Sequence, residues 1–304
     1  MGMLERTRRG QRGLLSRSVA RAFPLLLLPT LAAFAVGFVW PFLRGLYLSL
    51  CRFTTTGNAS WAGLDNYLQV FQDAGFLHAF WFTALYTAVS LALINLLAFA
   101  AAWALTQGLR GTGLFRTVFF LPNLIGGIVL GYLWSVIFDG VLSRFGTSIL
   151  LDSRFGFWGL VILMCWQQVG YMMIIYIAGL QAIPEELLEA ARMDGAGRWR
   201  TLVHVTLPNM LSAISVCLFL SLTNGFKLFD QNLALTGGQP YAFQSDGSVV
   251  RTTEMLALNI YNTFYGQSTS ARGVAQAKAV VFFLLVAALS ALQLRMTRER
   301  RART

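Results

Sequence analysis

Long apolar runs, separated by short polar segments, dominate the pattern of the chain. A bilayer core about 30 Å thick is crossed by a helix of roughly 20 mostly apolar residues. Six runs reach this length, and the predicted spans cover residues 23–47, 79–107, 114–138, 157–180, 209–235 and 277–294. We therefore predict an all-α integral membrane protein with six transmembrane helices. A single membrane domain, residues 22–294, would lie between basic tails at residues 1–21 and 295–304.

Composition supports a membrane protein. Hydrophobic residues make up 56% of the 304 residues and charged residues 12%, against about 45–50% and about 25% in soluble domains. The net charge of +11 could indicate a nucleic-acid partner. However, the arginines cluster beside the apolar runs, where they act as topology signals, so no nucleic-acid binding is predicted. The cysteines form no Cys-x-x-Cys, and neither a disulfide framework nor a metal site is predicted.

Basic residues also predict the orientation of the spans. Most of the 24 lysine and arginine residues lie in the two tails and in the loops between spans two and three and between spans four and five. Cytoplasmic segments carry an excess of such residues. We therefore expect both termini, and the polar loop 185–208, to be cytoplasmic. The longer connections, at residues 49–78 and 236–276, would then be external, the second with an interfacial helix at residues 254–264.

The loop between the fourth and fifth spans has the signals of a short, well-delimited helix. Pro184 is suited to the first helical position, and Glu185 then falls in the first turn, where negative charge favours the helix dipole. Leu187 and Leu188 would offer one apolar face, and Gly195 would end the helix. The loop is either an ordinary connection between spans or a docking element for another protein. The order of these signals favours docking.

The chain has no evident energy source of its own. A Walker A motif requires Gly-Lys-Ser/Thr, but the two lysines lie in Phe-Lys227-Leu and Ala-Lys278-Ala. Carriers driven by ions place acidic or histidine residues within their spans, and spans two, three and four contain none before Asp139. Catalysis is not predicted either, because the sequence has no catalytic constellation. We expect the driving force to come from a partner protein.

Polar residues within the spans are candidates for a solute path. A sugar needs hydrogen-bonding groups and aromatic faces, although buried polar residues also act as interhelical contacts of about 0.6–2 kcal/mol. The candidates for the path are Gln167, Gln168, Tyr171, Asn224, Lys227 and Asp230. Lys227 and Asp230 are three residues apart and would share one helical face. They would form either a polar patch in the path or a mutually neutralising pair.

The loop also carries a spaced motif. Its residues are Glu189, Ala190, Ala191, Gly195, Val205, Leu207 and Pro208. This pattern resembles the loop of the permease subunits of binding-protein-dependent ATP-binding cassette (ABC) importers. Two further segments, Gly-Leu-Asp-Asn-Tyr at residues 63–67 and Leu-Thr-Gly-Gly-Gln-Pro at residues 235–240, are similar to the carbohydrate-uptake, maltose-type branch and its first permease. Gln239 replaces the usual glycine, and residues 241–250 look like a small insertion.

The resemblance implies a cytoplasmic coupling helix between the fourth and fifth spans, which docks into an ATPase subunit. The implied coupling residues are Glu185, Glu189, Ala190, Ala191, Asp194, Gly195, Leu207 and Pro208. The implied partners are a second homologous permease, two ATPase subunits that bind ATP and Mg²⁺, and an extracytoplasmic solute-binding protein. No cofactor is expected on this chain, and the location would be a bacterial or archaeal cytoplasmic (inner) membrane.

The cargo implied by the resemblance is a mono- or oligosaccharide. A glycerol-phosphate ester, an amino acid or a peptide remains an alternative cargo within the same family. Outside the family, the alternatives are a stand-alone secondary carrier and, less well supported, a polytopic membrane enzyme.

Overall fold

A computed structural model describes residues 27–108, 110–244 and 247–301. The predicted tail 1–21, the first residues of the predicted first span and residues 302–304 lie outside this part of the chain. The helices are α1 (Leu27–Ser49), α2 (Asp65–Gln72), α3 (Ala74–Leu105), α4 (Thr112–Phe120), α5 (Gly127–Leu142), α6 (Ser153–Gln181), α7 (Glu185–Met193), α8 (Arg198–Asn209), α9 (Leu211–Phe226), α10 (Asp230–Leu235), α11 (Leu256–Tyr265) and α12 (Arg272–Arg301).

Two short antiparallel hairpins complete the described fold. In the first, β1 (Cys51–Arg52) pairs with β2 (Ser60–Trp61). In the second, β3 (Tyr241–Phe243) pairs with β4 (Val249–Arg251), with Phe243 opposite Val249. The predicted all-α class is confirmed, because the hairpins are small additions to a helical bundle.

Among the described residues, five helical segments are long and apolar enough to cross a membrane. They are Leu27–Ser49, Ala74–Leu105, Gly127–Phe145, Ser153–Gln181 and Thr269–Arg295. A sixth crossing is present if α8 and α9, which meet at 72°, are taken as one broken span. The predicted number of six spans is therefore reached only if this bent pair counts as one span.

The predicted third span, residues 114–138, is broken in the structure. After α4 the chain forms a 3-10 turn at Leu121–Leu124, and Ile125 is extended before α5 begins. Pro122, in this turn, lacks the N–H that would continue an α-helix. The crossing is therefore formed by Gly127–Phe145, which extends beyond the predicted end. The preceding α4 packs against α6.

The predicted fifth span, about residues 209–235, is wrong at its C-terminal end. The apolar helix α9 begins at Leu211 and ends at Phe226, and a break separates it from α10. At this break Leu228 turns inward and joins the main core. Lys227 caps the end of α9, whereas Asp230 begins α10. The expectation that these two residues share one helical face is therefore wrong, because they belong to different helices.

The main hydrophobic core lies between α3, α6 and α9. Its fully buried side chains include Tyr86, Leu160, Met172, Met173 and Cys217. A second, smaller core forms at the N-terminal end of α3, where α2, α11 and α12 meet. Its buried residues are Val70, Phe76, Ala79, Phe226, Leu256 and Ala277.

The Gly-Leu-Asp-Asn-Tyr segment has a structural role at the end of α1. Asn66 is buried, and its amide donates to the backbone oxygens of Ser49 at 2.8 Å and Cys51 at 2.9 Å. The Tyr67 hydroxyl lies 2.7 Å from the Ser49 hydroxyl. The bond to Ser49 O satisfies one of the carbonyl groups that a helix leaves without a partner at its end, and the other two contacts join α2 to β1 and to the end of α1.

Candidate functional site

The predicted loop helix is present as α7, Glu185–Met193. Pro184 is its N-cap, with ψ at 132°, so the helix begins one residue later than expected. Glu185 and Glu186 occupy the first turn, where their charges favour the helix dipole. The predicted position of Glu185 in the first turn of the helix is therefore confirmed.

The end of α7 is set by Gly195, which has a φ of +72°. The Gly195 N–H donates to Arg192 O at 3.0 Å, and the Ala196 N–H donates to Ala191 O at 2.9 Å. This pair of bonds is the Schellman motif, whose left-handed residue is usually glycine. The predicted glycine stop is confirmed.

The outer face of α7 is apolar at its centre. Leu187, Ala190 and Met193 recur at every third residue and are exposed, Met193 by 88%. Leu188 instead packs against the main core. The expected shared face of Leu187 and Leu188 is therefore wrong, since adjacent helical residues point in different directions. Glu189 lies beside Ala190 on the exposed part of the helix.

A cavity of about 580 Å³ separates α7 from the ends of α3 and α6. Its walls include Trp103 of α3, Thr106 just after α3, Leu180 of α6 and Arg198 of α8. Glu185, Leu188 and Arg192 contribute the side of α7 that faces it. The loop helix is thus set off from the bundle, and Leu188 is its apolar contact with the core.

The second half of the motif lies in α8. A π-helical turn at Leu202–Thr206 precedes Leu207 and Pro208, and α8 ends at Asn209. The chain then bends by 72° into α9. Leu207 and Pro208 therefore lie in the last turn of α8, directly before the bend into α9.

Four of the six candidate path residues line one polar cavity of about 270 Å³. They are Gln168 of α6, Asn224 of α9, and Lys227 and Asp230 on either side of the break. Met164, Leu228, Phe229 and Gln231 complete the lining. The break that ends α9 creates this cavity, because it turns Lys227 and Asp230 toward the same space. Sequence reasoning missed Phe229 and Gln231, although both lie within the polar stretch that follows Asn224.

The other two candidates have different surroundings. Gln167 is 5% exposed, and its amide donates to Ile125 O at 3.2 Å. Tyr171 packs against the main core. By contrast, the side-chain oxygen of Gln168 is buried and has no hydrogen-bond partner among the described residues. Buried polar atoms are seldom left in this state, so Gln168 can accept a donor from a ligand or from water.

Another polar residue of the spans, Asn95, connects three helices. It accepts from the Tyr176 hydroxyl at 2.7 Å and donates to Ser221 Oγ at 3.0 Å. These groups are buried where α3, α6 and α9 meet. Asn95 therefore acts as an interhelical contact.

The comparisons with known proteins agree with this arrangement. The family model described as "Binding-protein-dependent transport system inner membrane component" matches residues 95–302. The chain belongs to this family. It is thus a membrane permease subunit of an ABC importer, an inner membrane component.

Curated relatives resemble the permease over nearly its whole length. The probable starch degradation products transport system permease protein AmyD of Thermoanaerobacterium thermosulfurigenes is 37% identical over 91% of this chain and 94% of the relative. The sn-glycerol-3-phosphate transport system permease protein UgpA of Yersinia pestis is 32% identical over 92% and 94%.

A solved transporter has the same fold as the permease. It is a bacterial ABC transporter involved in the import of the acidic polysaccharide alginate. One of its chains matches with a TM-score of 0.75 and 21% identity, over 94% of this chain and 98% of that chain. The helical architecture is therefore that of an ABC importer permease.

Proposed function

We propose that the permease forms half of the translocation path for a sugar that an external binding protein delivers. The cavity that contains Gln168, Asn224, Lys227 and Asp230 carries this proposal. Binding sites for small molecules combine apolar walls with a few placed polar groups. Here Phe229 and Met164 offer apolar surface, and the amides, the ammonium and the carboxylate offer hydrogen bonds to hydroxyl groups.

The charges of the cavity favour a neutral cargo. Lys227 and Asp230 contribute opposite charges to the same lining, so the formal charge of the pair is zero. A phosphate ester carries up to two negative charges and would meet the Asp230 carboxylate as well as the Lys227 ammonium. The similarity to a starch-product permease, at the higher identity of the two relatives, also supports a sugar.

A glycerol-phosphate ester is the second candidate cargo. The 32% identity with UgpA favours it, and Lys227 is a cation that could pair with a phosphate. The two candidates therefore differ in the role of Asp230. This carboxylate accepts hydrogen bonds from the hydroxyl groups of a sugar, whereas its negative charge repels a phosphate.

We infer that α7 is the coupling helix and lies in the cytoplasm. Its exposed Leu187, Ala190 and Met193 suit a groove of an ATPase subunit, in which a short helix acts as a rigid element. The other proposed coupling residues are Glu185, Glu189, Ala191, Asp194, Gly195, Leu207 and Pro208. ATP and Mg²⁺ would be bound by the ATPase, and both termini of the permease would be cytoplasmic.

The proposed assembly contains this permease, a second homologous permease, two ATPase subunits and an external binding protein. Reconstitution in liposomes tests it directly. ATP inside the liposomes and the loaded binding protein outside should together support uptake of a labelled maltodextrin, and omission of either should abolish it. Uptake driven by an ion gradient without ATPase subunits would instead indicate a secondary carrier.

The cargo is tested with the binding protein alone and then with the transporter. Titration calorimetry with maltodextrins, trehalose and glycerol 3-phosphate should show binding of a sugar. In the assembled transporter, Asp230→Asn should impair sugar uptake. Tight binding of glycerol 3-phosphate, together with uptake of this ester that Asp230→Asn improves, would contradict the sugar assignment.

A further inference from the structure

Lys278 of α12 is fully buried although it carries a charge. Its ammonium group donates to Asp73 Oδ2 at 2.5 Å, to Thr263 Oγ1 at 2.7 Å and to Asn259 Oδ1 at 2.9 Å. A lysine ammonium has three donors, and each of them has a partner here. The three contacts join α12 to α11 and to the residue that precedes α3.

The network continues toward the second hairpin. The Asn259 amide donates to Glu254 Oε2 at 2.7 Å, and Glu254 is itself buried. The other carboxylate oxygen of Glu254 lies 3.9 Å from Nε of Arg251, the last residue of β4. Asp73, Lys278, Glu254 and Arg251 therefore alternate in charge, so that the network as a whole is neutral.

Asp73 connects this network to the start of a membrane span. Its second oxygen accepts from the Phe76 N–H at 3.2 Å and caps α3. One carboxylate thus fixes both the beginning of α3 and the position of the Lys278 ammonium. At this end of the bundle α3, α11 and α12 are held by the buried Lys278, Glu254 and Asn259 together with Asp73, whose side chain is 30% exposed.

Such a network is not explained by stability alone. Buried ion pairs can often be replaced by apolar residues without loss of stability, and in some proteins they fix one arrangement of the parts. Here the fixed parts are the hairpin β3–β4, α11 and the ends of two spans. From the same end, α3 runs 32 residues to the cavity beside α7.

We propose that Lys278 is a positioning residue that holds the hairpin β3–β4 and α11 rigidly on α3 and α12. The proposed orientation puts this end of the bundle outside the cell. A load applied there by the docked binding protein then moves α3 as a unit instead of deforming the surface locally. At the other end of α3, Leu188 of the loop packs against the core to which α3 contributes, and through this contact the coupling loop receives the movement. This inference rests on the proposed function.

The test uses the double variant Asp73→Asn with Lys278→Met in the assembled transporter. Asparagine still caps α3, and methionine fills much of the space of the lysine without its charge. ATPase activity is measured with and without the binding protein, loaded with the ligand that calorimetry selects. We expect assembly and the basal rate to remain, and the ratio of stimulated to basal rate to fall about five-fold or more. The half-saturating concentration of the binding protein should stay the same.

A matched control removes an exposed ion pair from the same end of the bundle. Arg52 Nη2 lies 2.9 Å from Asp65 Oδ2, and the two side chains are 62% and 54% exposed. The variant Arg52→Met with Asp65→Asn makes the same chemical changes at the surface. Its ratio of stimulated to basal rate should equal that of the unmodified transporter.

Two results would overturn the inference. One is a basal rate and a stimulated rate that are both unchanged in the assembled Asp73→Asn, Lys278→Met transporter, and the other is a fall of both rates by the same factor, which leaves their ratio unchanged. If the double variant does not assemble, Thr263→Val removes one Lys278 acceptor and keeps both charges. An unchanged ratio in that variant also overturns the inference. An unmodified transporter that no loaded binding protein stimulates would contradict the proposed function instead.

Discussion

The Gln231 amide donates a 2.8 Å hydrogen bond to the side-chain oxygen of Gln167, which lies 64 residues earlier in the chain. Gln167 in turn donates to Ile125 O, at the break between α4 and α5. Gln167 therefore links the break between α4 and α5 to the segment that follows the break after α9. Its neighbour Gln168 points into the polar cavity with an oxygen that no described residue satisfies. Substitutions at these two adjacent residues are therefore expected to have opposite effects on uptake and on stability.

Gln168→Met should impair transport while the complex still assembles. The substitution keeps the length of the side chain and removes its hydrogen-bonding groups, so a cargo hydroxyl would lose one partner. The loss of one hydrogen bond corresponds to about a two- to ten-fold rise in KM for uptake. Uptake kinetics and the thermal unfolding of the complex are to be measured together. An unchanged KM, or a complex that no longer forms, would contradict a role in the path.

Gln167→Met should have the reverse effect. It leaves Ile125 O and the Gln231 amide without their partners, and because both residues are only half-buried, each loss should cost less than the about 1–3 kcal/mol of a fully buried group. We expect the unfolding temperature of the complex in nanodiscs to fall. Any change in uptake should follow the amount of assembled complex. A stable complex with a raised KM would instead assign Gln167 to the path.

Gly170→Ala should prevent α4 from packing on α6. A Cβ at this position would overlap the backbone oxygen of Phe119, and the backbone of α4 would have to move. The cost is at the upper end of the about 1–3 kcal/mol typical of overpacking. Gly140→Ala is the control, because nothing lies within 4 Å of its Cβ position. The yield of assembled complex should fall for the first variant only; equal yields would refute the close contact.

Gly195→Ala should uncouple ATP hydrolysis from transport. No atom lies within 4 Å of its Cβ position, so the effect would come from the φ of +72°, which costs an L-residue roughly 1–2 kcal/mol. The end of α7 would change, and with it the proposed contact with the ATPase. Gly197→Ala has the same open surroundings and an ordinary φ of −66°, and should behave as the unmodified permease. Sugar transported per ATP hydrolysed is the measurement, and equal values in both variants would contradict the prediction.

The sequence predicted those parts of the fold that depend on local signals. Apolar runs located the spans, and Gly195 located the end of α7, because both signals act within a few residues. The breaks after α4 and α9 were missed because hydropathy does not register the direction of the backbone. Leu228 leaves the helical path to fill a core built by distant helices.

The polar cavity was predicted in part. Gln168 and Asn224 were found from their residue types, whereas the distinction between Gln167, Gln168 and Tyr171 required the rotation of α6. The buried position of Lys278 could not be predicted either. Its carboxylate partner is 205 residues away, and its neighbours in sequence are small apolar residues.

The 72° corner at Met210 would determine the direction in which a force from the proposed coupling loop travels through the permease. A push along the axis of α8 has only a small component along the axis of α9. The fifth crossing would consequently be swung sideways within the bilayer, with little sliding through it. Since Asn224 and Lys227 are at the far end of α9, such a swing would widen or narrow the space around a passing solute without dragging polar groups across the lipid.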